Sequence, residues 1–304
     1  MDFLRKLFGK KETEKDAASA PRENVVTAPL PEMQLQTIKA MALNRYEPPQ
    51  LLVASGQSVG RQRELNEDSL FTLSTTVAGN NSNPPFGLFI IADGMGGHQY
   101  GEVASNVAIR TISGYVMKKF HNTLFNLPSL PLDESLQEIA QAAVMEAQRA
   151  VLREAPGSGT TVTAALVLGQ QLTISHVGDS RAYLLYNEQR MEAVTRDHSL
   201  VRRLEELGQI TSAEAAVHPQ RNVLYRALGQ GEALEPDVVT TPFPVGGYLL
   251  LCSDGLWGVV PEDEIRKIVY ESPTIQRACQ NLTAAANSAG GPDNISAILV
   301  QLLA

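Results

Sequence analysis

Cysteine is nearly missing from this chain: Cys252 and Cys279 are the only two in 304 residues. That excludes a disulfide framework, and it excludes a cysteine-rich zinc site, which needs closely spaced ligands. Cys252 follows the apolar run Leu249-Leu250-Leu251 and Cys279 sits in a helical pattern, so both read as core thiols. Aromatic residues are scarce, at 6%, and basic residues are outnumbered, 25 Lys and Arg against 33 Asp and Glu, for a net charge of -8. Binding to a phosphate backbone needs clustered Lys and Arg, so nucleic acid is not an expected partner. Long apolar runs are also missing. No stretch approaches the roughly 20 residues that span a bilayer, and the first residues lack the apolar core and small-residue cleavage site of a secretory signal. The expectation is a chain without a transmembrane segment, working in the cytoplasm.

What is present is the composition of an ordinary globular protein, 43% hydrophobic and 19% charged. Residues Met1 to Lys11 set Phe3, Leu4, Leu7 and Phe8 against Arg5, Lys6, Lys10 and Lys11. A short basic amphipathic helix of that kind suits a weak membrane or partner contact through residues 1–11; a frayed terminus is the competing reading. From Glu12 to about Pro49 the chain is polar and punctuated by Pro21, Pro29, Pro31, Pro48 and Pro49, a linker composition. Residues 1–50 are therefore expected to form a flexible tail and linker, and 51–304 the folded domain.

Within that domain, apolar strand-like runs fall at Phe86–Ala92, Val162–Leu168, Leu172–Val177, Ala182–Tyr186, Tyr248–Cys252 and Ile295–Leu303. Apolar residues spaced by three and four predict helices over Val103–Phe120, Leu132–Leu152, Glu262–Tyr270 and Thr274–Ala289. Strands, then a helix pair, then more strands give an α+β sandwich with helices outside.

Two of these strands do something a core strand should not. Phe89-Ile90-Ile91-Ala92 runs straight into Asp93-Gly94, and Leu250-Leu251-Cys252-Ser253 into Asp254-Gly255. An isolated carboxylate at the end of a buried strand is very unfavourable unless it is solvated or paired. Further acids stand in Asn66-Glu67-Asp68, Gly178-Asp179-Ser180 and Pro292-Asp293-Asn294, each beside a strand. Each loop alone is accounted for by a turn or capping aspartate. Together they suggest carboxylates gathered in one place, and an all-oxygen donor set suits Mg²⁺ or Mn²⁺ rather than zinc or copper.

At these residues the sequence resembles the metal-dependent protein phosphatases of type 2C, the PPM family, in the compact bacterial form. The matching motifs are Arg63-Glu64-Leu65-Asn66-Glu67-Asp68, Ala92-Asp93-Gly94-Met95-Gly96-Gly97-His98, Ser158-Gly159-Thr160-Thr161, Gly178-Asp179-Ser180-Arg181, Asp197-His198-Ser199, Ser253-Asp254-Gly255-Leu256-Trp257 and Gly291-Pro292-Asp293-Asn294. They stand in the family's order from Leu51 onward. The resemblance implies a sandwich of two antiparallel β-sheets flanked by pairs of α-helices, with a metal site in a cleft at one end. It implies that Asp93 bridges two ions, that Asp254 and Asp293 complete the first, and that Glu67 with the Gly94 carbonyl completes the second. By the same match Asp68 orients water and Arg63 holds the substrate phosphate, a role that suits a bidentate guanidinium. The implied reaction is hydrolysis of phosphoserine and phosphothreonine in proteins by a metal-activated water, with no phosphoenzyme. In keeping with this, the Cys-x₅-Arg signature of cysteine-based tyrosine phosphatases is absent around Cys252 and Cys279. Implied partners are phosphorylated proteins, among them a serine/threonine kinase and its substrates.

The chain also departs from the family. Met95 stands where many animal members carry a histidine, and His98 is not its equivalent. Gly258 stands where several members carry an aspartate that contributes to a third ion, so with Asp179 alone a third site is expected to be weak or absent. Residues 197–229 resemble the bacterial flap, a helical excursion beside the cleft with Leu200, Leu204 and Leu207 at helical spacing. Two other readings compete. Gly56-Gln57-Ser58-Val59-Gly60 matches the Gly-x-Ser-x-Gly elbow of serine hydrolases, although that motif requires a following helix. A catalytically silent phosphatase-like binding or regulatory module is the other, and loss of metal aspartates would be its mark. His121, His176 and His218 lack paired ligand spacing and read as structural.

Overall fold

The computed structural model describes residues 48–78, 84–96, 100–126, 130–231 and 234–304. Expectations for residues 1–11, for the rest of the tail to residue 47 and for His98 lie outside the described residues.

Strands β1 (Gln50–Ser58), β7 (Arg181–Leu185), β8 (Met191–Ala193), β10 (Tyr248–Cys252) and β11 (Ile295–Leu303) form one sheet in the order β1-β11-β10-β7-β8. The other contains β2 (Asp68–Thr75), β3 (Phe86–Met95), β5 (Val162–Leu168), β6 (Gln171–Val177) and β9 (Asp237–Pro242) in the order β2-β3-β5-β6-β9, with β4 (Gly159–Thr160) on the end of β3. Every pairing is antiparallel. Helices α1 (Gly101–Phe125) and α2 (Leu136–Glu154) cover the second sheet, and α6 (Glu262–Glu271) and α7 (Ile275–Ser288) cover the first. The expected sandwich of two antiparallel sheets between helix pairs is the architecture found.

The central strands are apolar on both faces because each lies between a helix layer and the opposite sheet. Along β3, Phe86, Leu88, Ile90 and Ala92 pack against α1 and α2, whereas Phe89 and Ile91 face the other sheet. In β11, Ile295, Ala297 and Leu299 meet α7, and Ile298, Val300 and Leu302 point inward. Period-two alternation with both faces filled leaves continuous apolar runs, which is why the sequence showed them so clearly. The Phe86 and Phe120 rings, with centroids 4.5 Å apart, join β3 to α1.

Helix ends differ from the periodicity by local chemistry. Periodicity predicts a start at Leu132, but α2 begins at Leu136 because Ser135 and Glu138 form a reciprocal capping box. The elbow reading of Ser58 fails on context: Ser58 ends β1, the chain runs through a loop into β2, and its Oγ accepts from the Gly60 N–H and the Asn287 amide. Both cysteines are buried thiols. His176 is buried between Thr163 and the Arg196 carbonyl, and burial, with His198 beside it, pushes its pKa down to about 3.

The topology brings the acidic loops to one end. Antiparallel pairing sets Asp68, the first residue of β2, opposite Asp93 near the end of β3. The end of β10 and the start of β11 lie side by side, with Cys252 opposite Ala297, so Asp254 and Asp293 emerge together. The Gly178–Ser180 turn carries the chain from β6 in one sheet to β7 in the other at that same end.

Candidate metal centre

Asp93 is held by the backbone and by two threonines. Its N–H donates to Thr161 Oγ1 (3.0 Å), and its carbonyl accepts from the Thr161 N–H (2.8 Å) and Thr160 Oγ1 (2.9 Å). Gly94 follows because nothing larger fits: a Cβ there would lie 2.1 Å from the Gly101 carbonyl oxygen and 2.6 Å from that of Glu67. The Glu67 carboxylate lies close against Gly101, the first residue of α1. Asp254 opens the short helix α5 (Asp254–Trp257).

One buried amide pins the loop that carries Arg63 and Glu67. Asn294 Nδ2 donates to the carbonyls of Val59 and Leu65, both at 2.8 Å, and its Oδ1 accepts from the Glu67 N–H at 2.7 Å. Asp68 is fixed in a similar way. Its Oδ2 accepts from Ser253 Oγ (2.8 Å) and Ser296 Oγ (2.7 Å), while its Oδ1 is buried without a partner. Arg63 donates to Asp293 Oδ2 at 2.8 Å.

The acids raise one another's proton affinity. Burial first, and then the charges of Asp68, Asp254, Asp179 and Asp293, lift the Asp93 carboxyl well above its ordinary value. Burial lifts Asp68 to about 7 against the pull of its two serines, with Asp254 and Asp293 adding to the rise. Asp254 rises to about 6, through burial and then Asp293. Asp179 is raised well above the usual range by burial and then by Asp254 and Asp197. Glu67 is raised by burial, with Arg63 opposing. Arg63, paired with Asp293, answers only part of the cluster's negative charge. Asp254 Oδ1, like Asp68 Oδ1, is buried with no hydrogen-bond partner. Oxygen donors crowded without compensation fit hard divalent cations.

Among the described residues, however, no three Asp, Glu, His or Cys side chains close around a single point. Asp293 is engaged by Arg63 and Asp68 by the serines. The fit is therefore to ions that take one or two carboxylates each and complete their shells with water and a carbonyl, as Mg²⁺ commonly does. Arg63, Asp179, Asp254 and Asp293 line a cleft of about 770 Å³, and helices α3 (Leu200–Glu206) and α4 (Ser212–Ala216) line it as well. Sequence reasoning did not single out Ser296, and it gave no role to the motif residues Asn294 and Ser253, which with it position the acids, or to Arg181 and Asp197, which pair on the cleft wall.

The model of the family described as protein phosphatase 2C matches residues 53–295. The chain belongs to that family. Among its relatives, this phosphatase is 39% identical over 244 residues to the serine/threonine phosphatase Stp of Listeria monocytogenes, covering 80% of this chain and 92% of that one. It is 36% identical over 218 residues to the protein phosphatase PhpP of Streptococcus pneumoniae, covering 71% and 85%. The Mycobacterium tuberculosis serine/threonine phosphatase PstP superposes with a TM-score of 0.68 at 32% identity, over 83% of this chain and 98% of that one. The PstP catalytic domain in complex with two manganese ions gives a TM-score of 0.68 at 30% identity, over 84% and 100%.

Proposed function

We propose that this phosphatase hydrolyses phosphoserine and phosphothreonine esters of proteins with a pair of Mn²⁺ or Mg²⁺ ions held by Asp93, Asp254, Asp293, Glu67 and the Gly94 carbonyl. The observation that carries the reading is the gathering of Asp68, Asp93, Asp254 and Asp293 from separate segments at one end of the sandwich, where Asp254 and Asp293 line the cleft beside Arg63 and buried oxygens are left unpaired. Bound there, the cations supply positive charge against the phosphate oxygens and a lowered pKa for coordinated water. The protein's own groups do the rest. Arg63, exposed at the cleft and already paired to a carboxylate, has the forked donors to grip a phosphate dianion. Asp68, fixed by Ser253 and Ser296 through one oxygen, keeps Oδ1 to orient the attacking water.

Asp179 lines the same cleft, and with glycine at position 258 we assign it at most a weak third cation. Residues 197–229 act as a flap over the substrate, and residues 1–50 as a tail outside the catalytic unit. The bacterial relatives, named as serine/threonine phosphatases, support phosphoproteins as substrates; a serine/threonine kinase and its targets, met in the cytoplasm, are the substrates we assign. No helix among the described residues is long and apolar enough to cross a membrane.

The test is turnover of p-nitrophenyl phosphate and of a phosphothreonine peptide with Mn²⁺, with Mg²⁺ and with EDTA, for wild type, Asp93→Ala and Asp254→Ala. Cation-dependent turnover that both substitutions remove is expected. Equal turnover in EDTA would refute the metal-dependent reading.

A further inference from the structure

Arg181 lies between two parts of the cleft that come from distant segments. It opens β7, two residues after Asp179. Its guanidinium forks onto Asp197, Nε to Oδ1 at 3.0 Å and Nη2 to Oδ2 at 2.7 Å, and Nη1 donates to the Tyr183 hydroxyl at 2.9 Å. Its Cζ lies over the Trp257 ring, 3.5 Å from the centroid. That indole in turn donates its Nε1–H to the Asp179 carbonyl at 3.0 Å, and Trp257 closes the helical turn that opens with Asp254.

The other partner leads to the flap. Asp197 is followed by His198, whose N–H donates to the Gly178 carbonyl, and by Ser199, which caps α3. One side chain thus touches both the root of the flap and the support of Asp179 and Asp254. Its contacts need a planar fork and a flat cationic face together, which lysine does not offer. Arg181, Asp197, Asp179, Asp254 and Trp257 all line the cleft, so this brace forms part of the cleft wall rather than the core. The Arg181 side chain remains 22% exposed.

We propose that Arg181 is a positioning residue that couples the flap to the carboxylate cluster, so that seating a phosphoprotein under the flap and binding cations at Asp179 and Asp254 depend on each other. The proposal rests on the phosphatase reading above. Coupling of this kind is reciprocal, so breaking the brace weakens both events.

The test compares wild type with Arg181→Lys, which keeps the charge and loses the fork, and Trp257→Phe, which keeps a ring under Arg181 and loses the N–H. Calorimetry with Mn²⁺ gives cation affinity. Kinetics at saturating Mn²⁺ on a phosphothreonine peptide and on p-nitrophenyl phosphate separate substrate seating from chemistry, and thermal unfolding reports the fold. Arg181→Lys is expected to raise both the Mn²⁺ Kd and the peptide KM by about fivefold or more, at the lower end of measured couplings. Its kcat, and both constants for p-nitrophenyl phosphate, stay within about twofold of wild type. Trp257→Phe is expected to raise the Mn²⁺ Kd while leaving the peptide KM near wild type. Asp197→Asn, which cuts the brace from the flap side, repeats both shifts of Arg181→Lys and serves if that variant does not fold. Unchanged Mn²⁺ affinity and unchanged peptide KM in the arginine and aspartate variants would overturn the proposal. So would losses shared equally by both substrates and tracking a lower unfolding temperature. Absence of cation-dependent p-nitrophenyl phosphate turnover in wild type would remove the underlying phosphatase reading, and this coupling with it.

Discussion

Replacing Asp68 by asparagine is expected to stabilise the cation-free protein at neutral pH, although it removes a residue of the candidate site. The side chain is 5% exposed, with Oδ2 held by two serine hydroxyls and Oδ1 buried alone. Burial, reinforced by Asp254 and Asp293, lifts its pKa from 3.8 to about 7. Below 3.8 the folded and unfolded chains both carry the proton, and the group has no effect on folding. As pH rises from there to about 7 the unfolded chain ionises first, so stability falls across that window, and above it the loss is complete. A difference of about three between the two values corresponds to about 4 kcal/mol. Asparagine keeps a carbonyl oxygen for Ser253 and Ser296 and does not ionise, but it buries an amide N–H₂ without a partner at a cost of about 1–3 kcal/mol. The net gain expected near pH 7.5 is therefore about 1–3 kcal/mol. Urea unfolding in EDTA near pH 7.5 and again near pH 4 measures it: the variant should be the more stable at the higher pH and no better than wild type at the lower. Saturating Mn²⁺ should narrow the gap, because bound cations supply the charge that the wild-type cluster lacks. A variant weaker than wild type at the higher pH in EDTA, or a difference independent of pH, would refute the idea of an uncompensated carboxylate cluster.

Arg63→Ala is expected to raise KM for p-nitrophenyl phosphate while Mn²⁺ affinity holds or improves, since Asp293 is released from its ion pair; weaker Mn²⁺ binding by calorimetry would contradict this. Asn294→Ala loses three hydrogen bonds that pin the loop bearing Glu67, for about 2–3 kcal/mol in denaturant unfolding, and turnover should fall with it. A chain beginning at Leu51 should keep p-nitrophenyl phosphate turnover within about twofold of the full chain, and complete loss would make the tail part of the catalytic unit.

What the sequence made legible was whatever violated a local rule. Asp93 and Asp254 stood out because a core strand running into a carboxylate is anomalous, and both strands, β3 and β10, are where the apolar runs put them. Elements without such contrast escaped. Strand β9, Asp237–Pro242, is a half-exposed edge strand with two adjacent threonines and no clean alternation, and β8 is three residues long. The start of α2 was readable from Ser135 and Glu138, but the apolar Leu132 before them obscured the cap.

The site divides along the same line. Its acids were readable from composition and position, whereas the groups that orient them are neutral and acquire meaning only once strands are paired. Ser296 shows the difference. In β11 the inward positions are Ser296, Ile298, Val300 and Leu302, so parity alone places a hydroxyl on the buried inner face. A buried hydroxyl must find a partner. The register that sets Cys252 opposite Ala297 also brings Ser253 beside Ser296, and the two hydroxyls converge on one oxygen of Asp68. Strand parity read together with pairing thus yields the orientation of a buried carboxylate of the candidate site, which the pattern of acids alone does not contain.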